Sequence, residues 1–115
     1  MKEYHMKLQR APFEKIKSKT KVIEVRLFDE KRAKLKVGDI IIFTNLNDEN
    51  EKVKVRISGL HNFKSFAMLF DAFPAEDLGC QIGMSEERYV ESMYTIYTQD
   101  DERKYGVLGI RIELI

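Results

Sequence analysis

KTKVIEVRLFDEKRAKLKVGDIIIF, residues 19–43, contains two strand-like runs separated by a polar segment. The first run, 22–28, is rich in β-branched residues, which favours a strand. The polar segment closes on Gly38-Asp39, a turn signal. The second run, 40–45, opens with continuous apolar residues, typical of a central strand that is buried on both faces. The stretch therefore predicts two strands joined by a polar loop.

The first of these strands carries charges among its aliphatic residues. Alternation gives it a core face with Ile23, Val25 and Leu27, and an opposite face with Val22, Glu24 and Arg26. A surface ion pair between Glu24 and Arg26 would contribute only about 0–1 kcal/mol, so stability explains little of this arrangement. Lys21 is in phase with the core face, which is unfavourable for an ammonium group. We therefore expect Lys21 in the turn before the strand.

The rest of the chain indicates further strands and three helices. Pro12 suits a helix start, and Ser65 and Ser85 are candidate N-caps. Strands without βαβ repetition argue against a doubly wound parallel sheet. We predict one α+β domain over residues 1–115, a small mixed or closed sheet with helices at its ends. The expected strands are 3–9, 22–28, 40–45, 52–60 and 107–115, the helices 12–18, 65–72 and 85–97, and the polar segments 46–51 and 98–106 connect them.

Charge is spread unevenly along the sequence. Residues 1–64 hold 16 Lys and Arg against 9 Asp and Glu, a balance of +7, whereas residues 65–115 have a balance of −6. The basic half is typical of a surface that meets a polyanion. Alternatively, the two halves interleave in one small domain and neutralise each other.

Several classes of function lack a signal in the sequence. There is no signal peptide pattern and no run of about 18 apolar residues, so we expect a cytoplasmic protein away from the membrane. No phosphate-loop, dinucleotide-binding or zinc-protease motif is present, and the histidines are isolated. The lone Cys80 forms no disulfide framework. We predict neither a cofactor nor a metal site.

Two tyrosines near the end of the last predicted helix, Tyr94 and Tyr97, are candidate ligand contacts. Their rings could stack on a nucleic-acid base. Alternatively, they cover the end of the sheet.

The chain resembles the ASCH domain, a member of the PUA-like superfamily. The most family-like part is K-x-x-E-x-R, formed by Lys21, Glu24 and Arg26, followed by Gly38-Asp39. The resemblance covers nearly the whole chain, and four segments fall in family order: MKLQRAPFEKIKSKTKVIEVRL, VGDIIIF, FKSFAMLF and YGVLGIRIEL. It implies a PUA-like mixed β-barrel of five to six strands with capping helices.

The resemblance also implies a function. Such domains are thought to bind RNA or nucleotides in a cleft beside the charged strand, which Lys21, Glu24 and Arg26 would line. Similar small bacterial proteins hydrolyse acylated cytidine nucleosides with a lysine, a threonine three residues later and a distant glutamate. Here Lys21 matches the lysine, but Glu24 replaces the threonine. Glu76, Glu86 and Glu91 compete for the distant position.

Three functions therefore stay open. The first is a module that binds RNA or a nucleotide through Lys21, Glu24 and Arg26, with Tyr94 and Tyr97 as further contacts. The second is an amidohydrolase with Lys21 and Glu24 as its catalytic residues. The third is a protein-interaction scaffold. The sequence does not determine the oligomeric state.

Overall fold

A computed structural model describes residues 1–115. The strands are β1 (Glu3–Leu8), β2 (Ile23–Leu27), β3 (Ile40–Asn45), β4 (Asp48–Phe63) and β5 (Val107–Leu114). The helices are α1 (Arg10–Lys17), α2 (Phe66–Ala72), α3 (Glu86–Met93) and α4 (Gln99–Tyr105), and two 3-10 turns span Arg32–Lys34 and Ala75–Leu78.

The five strands form one mixed sheet in the order β1-β3-β4-β5-β2. β1 runs parallel to β3, and the other neighbours are antiparallel. The sheet curls into a half-barrel whose open edges are β1 and β2. At this seam, the Nη2 of Arg26 on β2 donates to the carbonyl of Lys7 on β1, at 3.0 Å. The predicted PUA-like mixed barrel with capping helices is confirmed, with five strands.

Two apolar clusters hold the layers together. The larger one lies inside the curled sheet with α1 and includes Phe13, Phe43 and Ile110. The smaller one lies between β2 and the helices α2 and α3 and includes Ile23, Phe66 and Leu69. Because β5 contributes Leu108 to the first cluster and Val107 to the second, the helical layer is packed directly onto the sheet.

The alternation predicted for β4 is present, but the strand is longer than expected. Val53, Val55 and Ile57 are buried, and Lys52, Lys54 and Arg56 are exposed. Residues 46–51 were expected to form a loop, yet β4 begins at Asp48 and the turn is confined to 46–47. Asn45 explains the tight turn, because its side chain accepts from the Asn47 N–H at 2.9 Å and donates to Glu51 at 3.1 Å.

The helices after β4 differ from the sequence expectation in two places. The helix expected to reach residue 97 ends at Met93, since Ser92 and Thr95 use their hydroxyls on nearby carbonyls and Ile96 is β-branched. The polar segment 98–106 was expected to lack a helix, but it forms α4. Thr98 caps α4 by accepting from the Asp101 N–H at 3.1 Å. No helix in the chain has the length and apolarity needed to cross a membrane.

Candidate functional site

A cleft of about 270 Å³ lies at the seam between β1 and β2. Most of its lining comes from the β1–α1 junction, the charged strand β2, and α3 with the turn that follows it, and the β3–β4 turn and the 3-10 turn Ala75–Leu78 add one residue each. Among its residues are Lys7, Pro12, Lys21, Glu24, Arg26, Leu46, Tyr89, Met93, Ile96 and Tyr97. We call this the seam cleft.

Glu24 holds two cations in place within the seam cleft. Its Oε1 lies 2.9 Å from the Lys21 Nζ, and its Oε2 lies 2.7 Å from the Arg26 Nε. The Glu24 residue is only 3% exposed. Burial by itself would raise the pKa of Glu24, but the charges and hydrogen bonds of Lys21 and Arg26 bring that pKa below its ordinary value. Glu24 is therefore a buried carboxylate ion.

This geometry corrects the expectation of an exposed ion pair. The face of β2 that carries Glu24 and Arg26 is covered as well as the core face, and the side chains of Lys21 and Arg26 are only 12% and 14% exposed. This face points into the curled sheet, because Glu24 is paired with Ile110 and Arg26 with Leu108, two β5 residues of the larger apolar cluster. Alternation within β2 contains no information about this cover. Removing one member of such a group costs more than breaking a surface pair, because it leaves a buried charge uncompensated.

Lys21 lies in the turn before β2, as its phase predicted. The N–H groups of Thr20 and Lys21 both donate to the Lys15 carbonyl. These hydrogen bonds close the end of α1 and fix the position of the Lys21 backbone. Gly79 then fixes the direction of the side chain. A Cβ built at Gly79 would lie 3.0 Å from the Lys21 Cδ, so the aliphatic stem of Lys21 lies directly against this glycine.

The two candidate tyrosines have different places in the structure. Tyr97 lines the seam cleft, and its ring stacks on Phe66 at a centroid distance of 5.6 Å. Burial raises the pKa of Tyr97. Tyr94 does not line the seam cleft; its hydroxyl donates to the Glu102 Oε1 at 2.6 Å. The structure therefore places Tyr94 outside the seam cleft with a tertiary hydrogen bond, and its role as a ligand contact stays a prediction.

Glu102 is a buried carboxylate that sequence reasoning missed. It lies on α4, accepts from the Phe66 N–H at 2.8 Å and receives the Tyr94 hydroxyl. It thus ties α4 to the start of α2 and to the end of α3. Because Tyr97 stacks on Phe66, Glu102 helps to hold one wall of the seam cleft.

Sequence reasoning also missed other lining residues, among them Leu46, Ile96 and Tyr89. Leu46 in the β3–β4 turn and Ile96 after α3 are 45% and 69% exposed, so they form an apolar rim. The only signal for them in the sequence was an aliphatic residue in a predicted loop and another near the end of a predicted helix. Tyr89 is buried beside Glu24, and that burial raises the pKa of its hydroxyl.

The glutamates considered for the distant catalytic position lie elsewhere. Glu76, Glu86 and Glu91 are exposed and do not line the seam cleft, whose only carboxylate is Glu24. No three His, Cys, Asp or Glu side chains are grouped so that they could hold a metal ion. Burial raises the pKa of the Cys80 thiol, although Lys21 and Lys15 oppose this effect.

Comparison with known proteins identifies relatives over the whole chain. The crystal structure of the hypothetical protein PH0355 is similar, with 39% identity, full coverage of both chains and a TM-score of 0.85. The solution NMR structure of PF0455 from Pyrococcus furiosus has 36% identity, covers 98% of this chain and 97% of its own, and has a TM-score of 0.74.

A more distant structure agrees in fold. A mutant of ZmASCH from Zymomonas mobilis has 12% identity and a TM-score of 0.65, over 96% of this chain and 67% of that one. The comparison with curated proteins found no significant match. The family model of the ASCH domain matches residues 6–115, which include every charged residue of the seam cleft. The chain belongs to the ASCH domain family.

Proposed function

We propose that this protein binds RNA by holding one nucleotide unit in the seam cleft. The observation that carries the proposal is the buried Glu24, which fixes Lys21 and Arg26 at the floor of a cleft with an apolar rim. Lys21 and Arg26 would meet phosphate or a base edge, and Glu24 would orient Arg26 or accept from a base amino group. Tyr97, Leu46 and Ile96 offer surfaces against which a base can pack.

Unused hydrogen-bond donors support a ligand in this position. Arg26 uses its Nε on Glu24 and one Nη2 hydrogen on the Lys7 carbonyl, which leaves three of the five N–H groups of a guanidinium. Lys21 uses one of its three ammonium hydrogens on Glu24. A volume of about 270 Å³ lies near the lower end for ligand pockets, so the cleft suits one nucleoside-sized group.

Binding has better support than hydrolysis of acylated cytidine. The hydrolytic pattern needs a threonine near the lysine and a second, distant glutamate. In this chain Glu24 occupies the threonine position and already accepts from Lys21 and Arg26, and the other candidate glutamates are exposed outside the cleft.

A lysine substitution at Arg26 tests the proposal with the charge retained. Arg26→Lys removes the fork of donors, so we expect at least about tenfold weaker binding of a labelled single-stranded RNA, equivalent to ~1.4 kcal/mol. Arg103→Lys is the matched control, because Arg103 is an exposed arginine on α4 with a local partner, Asp100. Thermal unfolding of both variants ensures that binding is measured on folded protein.

The same titration is repeated at rising salt, where a phosphate-binding protein loses affinity because the release of counterions into a more concentrated salt solution is less favourable. Hydrolysis of acylated cytidine is assayed in parallel. Equal RNA affinity in both variants, or no RNA binding by the wild type at low salt, would contradict the proposal. Turnover of acylated cytidine that depends on Lys21 would favour the amidohydrolase instead.

A further inference from the structure

A second concavity, of about 410 Å³, adjoins the seam cleft. Arg26 lines both, so the two spaces share one guanidinium group as a wall. Four cationic side chains and one hydroxyl line this second space, together with a single carboxylate. They are Lys7, Arg26, Arg32, Lys52, Thr44 and Glu49. We call it the basic basin.

The sheet places three of these residues in one row. Lys7 on β1 is paired with Thr44 on β3, and Thr44 is paired with Lys52 on β4. Residues paired in this way project from the same face of a sheet. Since strands lie about 4.8 Å apart, the two lysine backbones are separated by about 10 Å with a threonine hydroxyl between them. An ammonium–hydroxyl–ammonium row presents donors to one tetrahedral oxyanion.

The row has little compensation from carboxylates. Neither Lys7 nor Lys52 takes part in any of the ion pairs of the structure. The Lys52 ammonium donates only to a backbone carbonyl, that of Glu49, at 3.1 Å. Two lysines of like charge on one face repel each other unless an anion lies between them.

Arg32, which lines the basin, has one N–H group without a partner. Its Nη1 pairs with Asp29 at 2.9 Å, which orients the guanidinium, whereas its Nε is buried and has no hydrogen-bond partner. Buried polar groups without partners are rare in folded proteins, so this Nε is a donor left for a water or an ion to satisfy.

We propose that the basic basin is a phosphate subsite that continues the seam cleft. The inference rests on the proposed function, and it specifies the ligand: a nucleotide in the seam cleft whose phosphate group occupies the row of Lys7, Thr44 and Lys52. It predicts selection of phosphate-bearing ligands, a nucleotide or an RNA strand, over the bare nucleoside.

Lys52→Gln tests the basin without touching the seam cleft. Calorimetric titration compares a nucleoside, its 5′- and 3′-monophosphates and a dinucleoside monophosphate on the wild type and the variant. In the wild type, the best phosphate-bearing ligand binds about tenfold more tightly than the nucleoside, the effect of one charge-assisted contact. In Lys52→Gln this advantage falls to about threefold or less, while nucleoside affinity is unchanged. The control is Lys54→Gln, which removes an exposed lysine two residues along the same strand.

The pattern of ligands separates a phosphodiester from a terminal phosphate. If the basin binds an RNA strand, the dinucleoside monophosphate has the same advantage in affinity over the nucleoside as a monophosphate has. If the basin binds only a terminal phosphate group, the advantage of the dinucleoside monophosphate is smaller. A second measurement uses inorganic phosphate alone, followed by amide chemical shifts. We expect shifts at Thr44 and Lys52 that disappear in Lys52→Gln and persist in Lys54→Gln.

Failure of the inference differs from failure of the proposed function. In one outcome, RNA binds through Arg26, but a phosphate group does not increase ligand affinity, or increases it equally in Lys52→Gln and Lys54→Gln. The basin is then not a phosphate subsite, and the proposal for the seam cleft stands. If no nucleoside, nucleotide or RNA binds, and inorganic phosphate shifts no basin amide, both are overturned.

Discussion

Glu24 is the residue on which the seam cleft depends. A buried carboxylate that touches two cations satisfies their charges, and it also fixes where their remaining donors lie. Buried ion groups of this kind are often no better for stability than apolar residues of similar size. Their use here is consistent with a ligand site more than with a stability element.

At the residue scale, we predict that Glu24→Gln lowers the free energy of unfolding by about 3–5 kcal/mol at pH 7, because Lys21 and Arg26 lose their buried counter-charge. Urea unfolding measures the change. Glu3→Gln is the control, since Glu3 forms only an exposed, 3.7 Å pair with Lys54 and its loss should cost at most about 1 kcal/mol. A similar effect of both substitutions would contradict the buried role of Glu24.

The pH dependence follows from the same residue. The folded-state pKa of Glu24 is lower than the reference value of 4.5, so the unfolded chain takes up this proton first as pH falls. The stabilisation by Glu24 is complete above pH 4.5 and is lost as pH falls through its folded pKa. We expect the difference in unfolding free energy between wild type and Glu24→Gln to be constant from pH 7 to 5.5 and to shrink below pH 4.5. A difference that grows on acidification would contradict this.

The 3-10 turn Ala75–Leu78 positions a residue of another element. It ends at Gly79, whose φ of +83° favours glycine and whose missing side chain leaves room for the Lys21 stem. The Val22 N–H donates to the Asp77 carbonyl at 2.9 Å, which attaches this turn to the start of β2. The place of Lys21 in the seam cleft is thus set by a contact between two turns.

At the element scale, Gly79→Ala tests this contact. The left-handed backbone costs about 1–2 kcal/mol for alanine, and the new methyl group displaces Lys21. Gly83→Ala is a matched control, because Gly83 has a similar φ of +87° but open space around its Cβ. We expect both variants to lose stability in urea unfolding, but only Gly79→Ala to weaken RNA binding. Equal RNA affinity in the two variants would show that Lys21 keeps its place or does not bind RNA.

Across the whole molecule, the basic and acidic halves share one sheet without forming ion pairs with each other. β5 from the acidic half lies between β2 and β4 from the basic half, yet all five ion pairs join residues within the same half. The halves therefore interleave in the fold, but close contacts do not neutralise them. On the outer face of β4, Lys52 and Arg56 form no ion pair, and Lys54 pairs with Glu3 of its own half.

The single domain is a prediction at this same scale. Since β5 belongs to both apolar clusters, the helical layer and the sheet should unfold together. Far-UV circular dichroism reports the backbone, and near-UV circular dichroism reports the tyrosines, four of which pack in the helical layer. We expect the two urea transitions to coincide. A helical layer that melts first would divide the chain into two units.

The sequence by itself determined those features that depend on short local patterns, namely strands, helix caps and the family motif. Alternation in β4, the β-branched run of β2 and the Ser65 and Ser85 caps mark these strands and two of the helices, and K-x-x-E-x-R together with the segments in family order carries the resemblance to the family. Strand period and capping act over a few residues, so they can be recognised without the fold. The Thr98 cap was equally local, but the polar run behind it concealed α4 because no apolar face marked it.

Only the tertiary structure decided which of those residues meet, and how deeply. Glu24 is buried because β5, far along the chain, pairs with β2 and directs this face into the curled sheet, while the helices cover the opposite face. Tyr97 enters the seam cleft while Tyr94 turns to Glu102, although the two are one helical turn apart. Lys7, Thr44 and Lys52 form a row only through strand register. Burial and electrostatic environment depend on chain segments brought together by folding, and local sequence carries no record of those partners.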